Sequence, residues 1–230
     1  MTVFIIIKRS QLILVLVILV ILLLVLLVRV PKSQPVTGPI FQGNVEKKAV
    51  AFCINVAWGN EYIPSILEIL KNNNCHATFF FVGTWVRDFP DLGRKIAHDG
   101  HEIGNHGYYH VHPAKLNKTE LQKLILDNEA ILVKEFNRAE KLFAPPYGEF
   151  NDKIVQYASE IDYKTIMWTI DTIDWQTPTS QTFLNRVLTK LENGALILMH
   201  PTEVTAKTLS VLIQEIKKRG FSIVTVSEIL

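Results

Sequence analysis

Cysteine and net charge are both scarce in this chain of 230 residues. Its two cysteines, Cys53 and Cys75, are too few for a disulfide framework or a cysteine-based zinc cluster, and we interpret them as buried or half-buried thiols. A formal net charge of +2 gives no electrostatic reason to expect nucleic acid as a partner. Repeats and low-complexity tracts are also missing after residue 46. The length fits one domain of ordinary size with an appendage.

A long apolar run near the N-terminus predicts a membrane segment. Residues 12–28 are all Leu, Ile or Val, at the short end of what crosses a bilayer as a helix. Lys8 and Arg9 precede the run, and no small-residue cleavage site of a signal peptide follows it. We predict that residues 1–29 are a cytoplasmic stub and an uncleaved signal anchor. The domain would then lie on the extracytoplasmic side of the cell membrane.

The segment after this run is rich in residues that break regular structure. Residues 30–46 contain three prolines and two glycines, together with Ser, Thr and Gln. Such a composition is typical of a linker without a core of its own. We therefore predict a linker over 30–46 and a single domain over 47–230.

Strands and helices alternate along the predicted domain. Apolar runs rich in β-formers are followed by segments with helical spacing, and the Thr119-x-x-Gln122 pair is typical of a helix N-terminus. Strands that alternate with helices of this length predict parallel βα units, and their apolar character predicts that both sheet faces are covered. We expect an α/β fold with a barrel-like parallel sheet, whose active site lies at the carboxyl ends of the strands.

Five short motifs lie where predicted strands end. They are INVAWG (54–59), NHGYYH (105–110), APPYG (144–148), DTIDW (171–175) and LMHP (198–201). His106 and His110 are four residues apart, and on a helical turn both imidazoles would face one side, as a divalent metal requires. A lone pair of this kind is more often solvated or structural, but this one follows a strand end. Both histidines are candidate metal ligands, and we predict a surface role for His112.

His200 closes the apolar run ALILM, at the expected carboxyl end of a strand. That position suits acid–base chemistry, because histidine changes its charge near neutral pH. A carboxylate partner would raise its basicity and fix its tautomer. Asp174 in DTIDW is the candidate for that partner.

Together the five motifs resemble those of the bacterial polysaccharide deacetylases, the NodB-type domain of carbohydrate esterase family 4, over residues 47–230. The resemblance implies a distorted (β/α) barrel of about seven strands. It also implies that His200 donates a proton to the departing amine, that Asp174 orients and charges His200, and that Trp175 forms a wall of the acetyl pocket.

The third motif, APPYG, resembles the family's R-P-P-Y-G. Its two prolines and glycine fix a rigid turn. The resemblance implies that the backbone N–H of Tyr147 helps to bind the oxyanion. We predict that Pro146, Trp58 and Trp175 contact the substrate.

Three positions depart from the family pattern. The family's first motif is typically T-F-D-D, with the general base first and a metal ligand second, whereas this chain has Asn55 and Val56. A sporulation-associated branch, similar to this chain in its Trp58-Gly59 pair, often lacks the second aspartate. Ala144 replaces the arginine that normally holds the base. The losses at 55 and 144 are linked, because a buried arginine without its carboxylate would be a costly unpaired charge.

An intact member of the family uses a divalent metal, zinc or cobalt, to activate water that the base deprotonates. An amide such as Asn55 cannot take that proton, and two histidines alone should hold the metal weakly. Asp171 or Glu61 is a candidate replacement carboxylate. Two functions remain: a membrane-anchored deacetylase of a cell-wall or spore glycan such as peptidoglycan, with weak activity, or an inactive domain that binds glycan or a protein partner in envelope or spore assembly.

Overall fold

The computed structural model describes Ile18 and residues 38–230. The predicted membrane segment therefore lies outside the described residues, apart from Ile18. Within the described part, no helix is long and apolar enough to span a bilayer. The first 37 residues otherwise stay a matter of sequence prediction.

A curled parallel sheet forms the centre of the domain, as expected. Its strand order is β5-β4-β3-β2-β1-β7-β6, and β8 pairs with the start of β1. The eight strands of the described chain are β1 (Ala49–Val56), β2 (Thr78–Phe81), β3 (Glu102–Asn105), β4 (Leu142–Phe143), β5 (Lys164–Thr165), β6 (Ile170–Asp171), β7 (Leu196–Met199) and β8 (Ser222–Val224). Because every strand pair is parallel, the carboxyl ends meet at one edge.

Helices connect most of the successive strands, as the alternating pattern predicts. The α-helices of the described domain are α1 (Ile63–Asn72), α2 (Gly83–Asp88), α3 (Pro90–His98), α4 (Lys118–Phe136), α5 (Asp152–Ser159), α6 (Ser180–Leu188), α7 (Glu203–Lys218) and α8 (Val226–Ile229). The predicted start of α4 at Thr119 with Gln122 is wrong. Asn117 and Glu120 form the capping box instead, each side chain accepting the other's backbone N–H, at 3.1 and 2.9 Å.

The side chains of β1 point alternately into two separate hydrophobic cores. Val50, Phe52, Ile54 and Val56 belong to the large cluster that packs against the helices. The intervening small residues of β1 face the barrel interior with Phe80, Leu142 and Ala144. Successive side chains of a strand point to opposite faces, so Val56 and its neighbour Asn55 have different surroundings.

The C-terminal part of the segment predicted as linker is bonded to the domain. Ile40 donates its N–H to the Thr165 carbonyl at 2.8 Å and accepts the Met167 N–H at 2.7 Å. Gln42 forms an antiparallel bridge with Ala195. The segment 40–43 therefore joins the end of β5 to the residues before β7, where the sheet is otherwise open. Long-range pairing of this kind leaves no local signal in a sequence rich in proline and glycine.

The buried imidazole of His101 gives the domain a pH-dependent stability. The side chain is 2% exposed, its Nδ1 accepts the Ala77 N–H at 3.3 Å, and its ring lies 5.1 Å from that of Phe79. Burial, and secondarily the neighbouring His76, lowers the pKa of His101 to about 4. An unfolded histidine has a pKa of about 6.5. The unfolded chain therefore binds the proton more readily, and stability is lost as the pH falls from about 6.5 towards 4.

We expect His101 to account for a loss of roughly 3 kcal/mol in unfolding free energy between pH 7 and pH 4. Urea unfolding of residues 38–230 at several pH values measures it. His101→Gln keeps a hydrogen-bond acceptor without the titration, so its stability should fall less steeply over the same range. Parallel curves for the two proteins would contradict the assignment.

Candidate active site

A cavity of about 620 Å³ opens at the carboxyl edge of the sheet. All five motifs contribute to its wall, because each follows a strand that ends at this edge. The lining residues are Asn55, Ala57, Trp58, His106, His110, Tyr147, Gly148, Trp168, Asp171, Trp175, Leu198 and His200. Of the predicted site residues, Asp174 and Pro146 are not in this wall, and both are buried. Pro146 shapes the third-motif turn.

Asp174 supports His200 from behind the cavity wall. Its fully buried carboxylate accepts the His200 Nδ1–H at Oδ1, at 2.8 Å, and the His200 backbone N–H at Oδ2, at 2.6 Å. The hydroxyl of Thr205 donates to Oδ2 at 2.7 Å. With Nδ1 protonated and held, Nε2 is the nitrogen of His200 left to exchange a proton in the cavity. The structure thus brings His200 and Asp174 together, as predicted. The sequence analysis did not identify Thr205 as a further donor to Asp174.

Trp58 covers the other side of His200. The two rings stack with centroids 5.5 Å apart and planes 13° from parallel. Trp58 is still 44% exposed, so it faces both the histidine and the cavity opening. Gly59 sets this position, because its φ of +80° allows the chain to turn directly against the carbonyl of Pro201.

A side chain at position 59 should destabilise the domain. An ideal Cβ there would lie 1.9 Å from the Pro201 carbonyl oxygen, in a backbone conformation that L-residues resist. We expect Gly59→Ala to lower the unfolding free energy by about 2 kcal/mol. Gly38→Ala is the matched control, since a Cβ there meets nothing within 4 Å. Equal urea midpoints for the two variants would refute the steric argument.

His106 and His110 come together in a loop, not on the helical turn that the spacing suggests. Gly107 between them has a φ of +81°, and the ring centroids lie 5.1 Å apart. His106 donates from Nδ1 to the Ala144 carbonyl at 2.6 Å, which leaves its Nε2 as an acceptor. Burial, and then His110, lowers the pKa of His106 to about 3. Burial, and then His200, also lowers the pKa of His110. Both imidazoles are therefore neutral near pH 7.

The comparisons with known proteins agree with this arrangement. The sequence model of the family described as polysaccharide deacetylase matches residues 42–166. The chain belongs to this family. A peptidoglycan-N-acetylglucosamine deacetylase of Bacillus cereus is 35% identical over 190 residues, which are 80% of this chain and 69% of that protein.

Two further relatives are more similar in sequence. The uncharacterised protein YlxY of Bacillus subtilis is 46% identical over 84% of this chain, and the match spans 60% of YlxY. BA3943 of Bacillus anthracis is a pseudoenzyme of carbohydrate esterase family 4. Its structure superimposes on this one with a TM-score of 0.82 at 39% identity, covering 84% of this chain and 69% of BA3943. A mutant of BA3943 has restored enzymatic activity.

The metal that deacetylases of this family use does not fit the donors of this site. Where the family has its second aspartate, Val56 is fully buried among residues that pack against the helices. Among the residues that the structure describes, no group of three or more His, Cys, Asp or Glu side chains is placed to hold a metal. A histidine pair alone falls short of the three protein ligands of a typical catalytic zinc site.

Asn55 stands where the family has its general base. The residue is 4% exposed and lies in the cavity wall. Its Oδ1 is buried and has no hydrogen-bond partner among the described residues. A buried polar atom without a partner costs free energy, which indicates that this amide is not kept for the stability of the fold. Of the two carboxylates considered as replacements, Asp171 lines the cavity and Glu61 does not.

Tyr147 is held at the rim by two histidines. Its backbone has a φ of +59°, and its ring lies 4.4 Å from that of His110 and stacks on that of His112 at 4.1 Å. His112, expected to be a surface residue, also pairs with Glu149 at 2.7 Å. Trp175, 54% exposed, and Trp168 complete the aromatic wall. The sequence analysis did not identify Trp168 as a site residue, because it lies between two motifs in an apolar run that predicts an ordinary strand.

Proposed function

We propose that this domain is a pseudoenzyme that binds an N-acetylated glycan of the peptidoglycan type without appreciable hydrolysis. The observation that carries the proposal is Asn55, a neutral, nearly buried amide in the cavity wall with an unpartnered Oδ1. An amide cannot deprotonate water, but an amide in a cavity wall can still form a hydrogen bond with a bound sugar. The residue that would start hydrolysis is thereby converted into a recognition group.

The cavity wall supports a sugar ligand. Trp58, Tyr147, Trp168 and Trp175 offer aromatic surface, and His200 and Asp171 offer polar groups. Mostly apolar walls with a few placed polar groups are typical of small-molecule sites. Relatives act on peptidoglycan N-acetylglucosamine, and BA3943 is a pseudoenzyme. These relatives supply the ligand class.

Slow deacetylation is the second candidate function. The His200–Asp174 pair is complete, and Asp171 lines the cavity. In this alternative Asp171 takes the proton from water. General base catalysis contributes about 10²–10⁴-fold to the rate, so a poorly placed carboxylate would give weak turnover.

The cellular setting is proposed from the sequence alone. The apolar run at residues 12–28 supports a single-pass anchor, with the domain facing the cell wall. Such an anchor would keep the cavity close to newly made glycan during envelope or spore assembly.

Two measurements on the same preparation separate the candidates. Calorimetric titration with N-acetylglucosamine oligomers measures binding, and acetate release with added zinc or cobalt measures hydrolysis. The pseudoenzyme proposal expects binding of acetylated but not deacetylated oligomers, and no acetate above the level of a His200→Ala control. Acetate release that disappears in both His200→Ala and Asp171→Asn would support the slow deacetylase. A folded protein that neither binds nor hydrolyses would refute both.

A further inference from the structure

Two exposed aromatic rings lie beside the cavity without taking part in its wall. Phe41 and Phe150 are 42% and 44% exposed, and their centroids are 5.3 Å apart with planes at 75°. Phe41 comes from the segment predicted as linker, and Phe150 follows the third motif. Paired aromatic rings that remain open to solvent form an apolar patch, and such patches mark interaction sites.

Trp168 connects this patch to the cavity. An ideal Cβ on Gly148 would lie 2.4 Å from the Trp168 ring, so this ring packs on the backbone two residues before Phe150. On its other side, the hydroxyl of Thr169, the next residue along the chain, donates to the Phe41 carbonyl at 2.7 Å. Phe150 therefore lies two residues after Gly148, which lines the cavity. Phe41 is bonded to Thr169, the residue that follows the lining residue Trp168.

The backbone holds both rings in place. Ile40, the residue before Phe41, is fixed by two backbone hydrogen bonds, one to Thr165 at the end of β5 and one from Met167. The residue after Phe150, Asn151, caps helix α5 by accepting the Ile154 N–H at 2.9 Å. A fixed aromatic surface loses little entropy when a ligand covers it, which suits a flat, weakly binding partner such as a sugar ring.

The geometry points to an additional glycan subsite formed by Phe41 and Phe150, which contacts sugar residues of the same N-acetylated chain beyond the one in the cavity. The inference rests on the proposed function. Its occupant follows from continuity, because the two rings adjoin the part of the cavity wall that Gly148 and Trp168 form. The C–H faces of pyranose rings are apolar and stack on aromatic side chains. The cavity then selects the acetylated sugar, and the patch selects for chain length.

The test is the dependence of affinity on oligomer length, measured by calorimetry on the full chain in mild detergent. N-acetylglucosamine oligomers of about two to six sugars are titrated into the wild type and into Phe41→Ala/Phe150→Ala. We expect the short oligomers to bind both proteins equally and the long ones to bind the variant about tenfold more weakly. Phe150→Leu, which keeps apolar area without the ring, should show a smaller loss in the same direction.

Leu126→Ala is the matched control, because Leu126 is 43% exposed on the surface of α4; it should bind every oligomer like the wild type. Unchanged affinity of the double variant for long oligomers would overturn the subsite and leave the proposed function standing. An equal loss at every length would also overturn it, since the rings would then only support the cavity. Failure of the wild type to bind any oligomer would refute the proposed function and the subsite together. A changed oligomeric state of the variant in sedimentation would assign the patch to a protein contact instead.

Discussion

Asn55→Asp combined with Ala144→Arg is expected to raise the rate of N-acetyl hydrolysis by about 10²–10⁴-fold. The aspartate would place a general base in the wall of a cavity whose acid pair is already complete. Ala144 is 3% exposed in the barrel interior, so an arginine there would lie within the protein and pair with the new carboxylate. Together the two substitutions avoid an unpaired buried charge.

The single variants separate the base from its partner. Asn55→Asp alone buries a carboxylate without a cation, which raises its pKa, so a smaller fraction is deprotonated and able to act as a base at neutral pH. Ala144→Arg alone buries a guanidinium without a carboxylate and should mainly destabilise the fold. Val56→Asp is a poor addition, since Val56 packs against the helices and its replacement would charge the core.

Acetate release from N-acetylglucosamine oligomers, with and without added zinc or cobalt, measures the gain. The double variant with His200→Ala should lose it, because the departing amine would lack its proton donor. A folded double variant that binds the oligomer but releases acetate no faster than the wild type would show that the missing base is not what limits this site.

Asp174→Ala is expected to lower the unfolding free energy by roughly 3–5 kcal/mol. The carboxylate is fully buried and accepts from His200 twice and from the hydroxyls of Thr205 and Thr202. Its removal leaves these donors without their acceptor at the junction of β7 and α7. Buried donors that lose their partner carry the full cost of desolvation.

Urea unfolding of residues 38–230 measures this loss. Asp174→Asn should cost less, because one oxygen still accepts while the new amide faces a donor. Asp127→Ala is the control, since that aspartate forms a surface pair with Lys123 at 2.7 Å, which is worth less than about 1 kcal/mol. A loss below about 1 kcal/mol for Asp174→Ala would mean that the network contributes orientation to His200 but little stability.

Long-range pairing limited what the sequence could predict about the fold. The alternation of apolar strands with helical segments predicted parallel βα units correctly, because each pattern is local to one element. The composition of segment 40–43 predicts a linker, whereas its bonds are to residues more than 120 positions away. Local composition carries no information about such partners.

Residue types and their spacing were enough to predict the family, the parallel α/β class, the motifs at one edge of the sheet and the replacement of the base by Asn55. The orientation of these residues came from the tertiary structure. It placed Val56 in the core, left Oδ1 of Asn55 without a partner among the described residues, joined Asp174 to two threonines and packed Phe41 against Phe150. Sequence patterns report local structure and chemical groups, whereas orientation and hydrogen-bond partners arise when distant segments pack together.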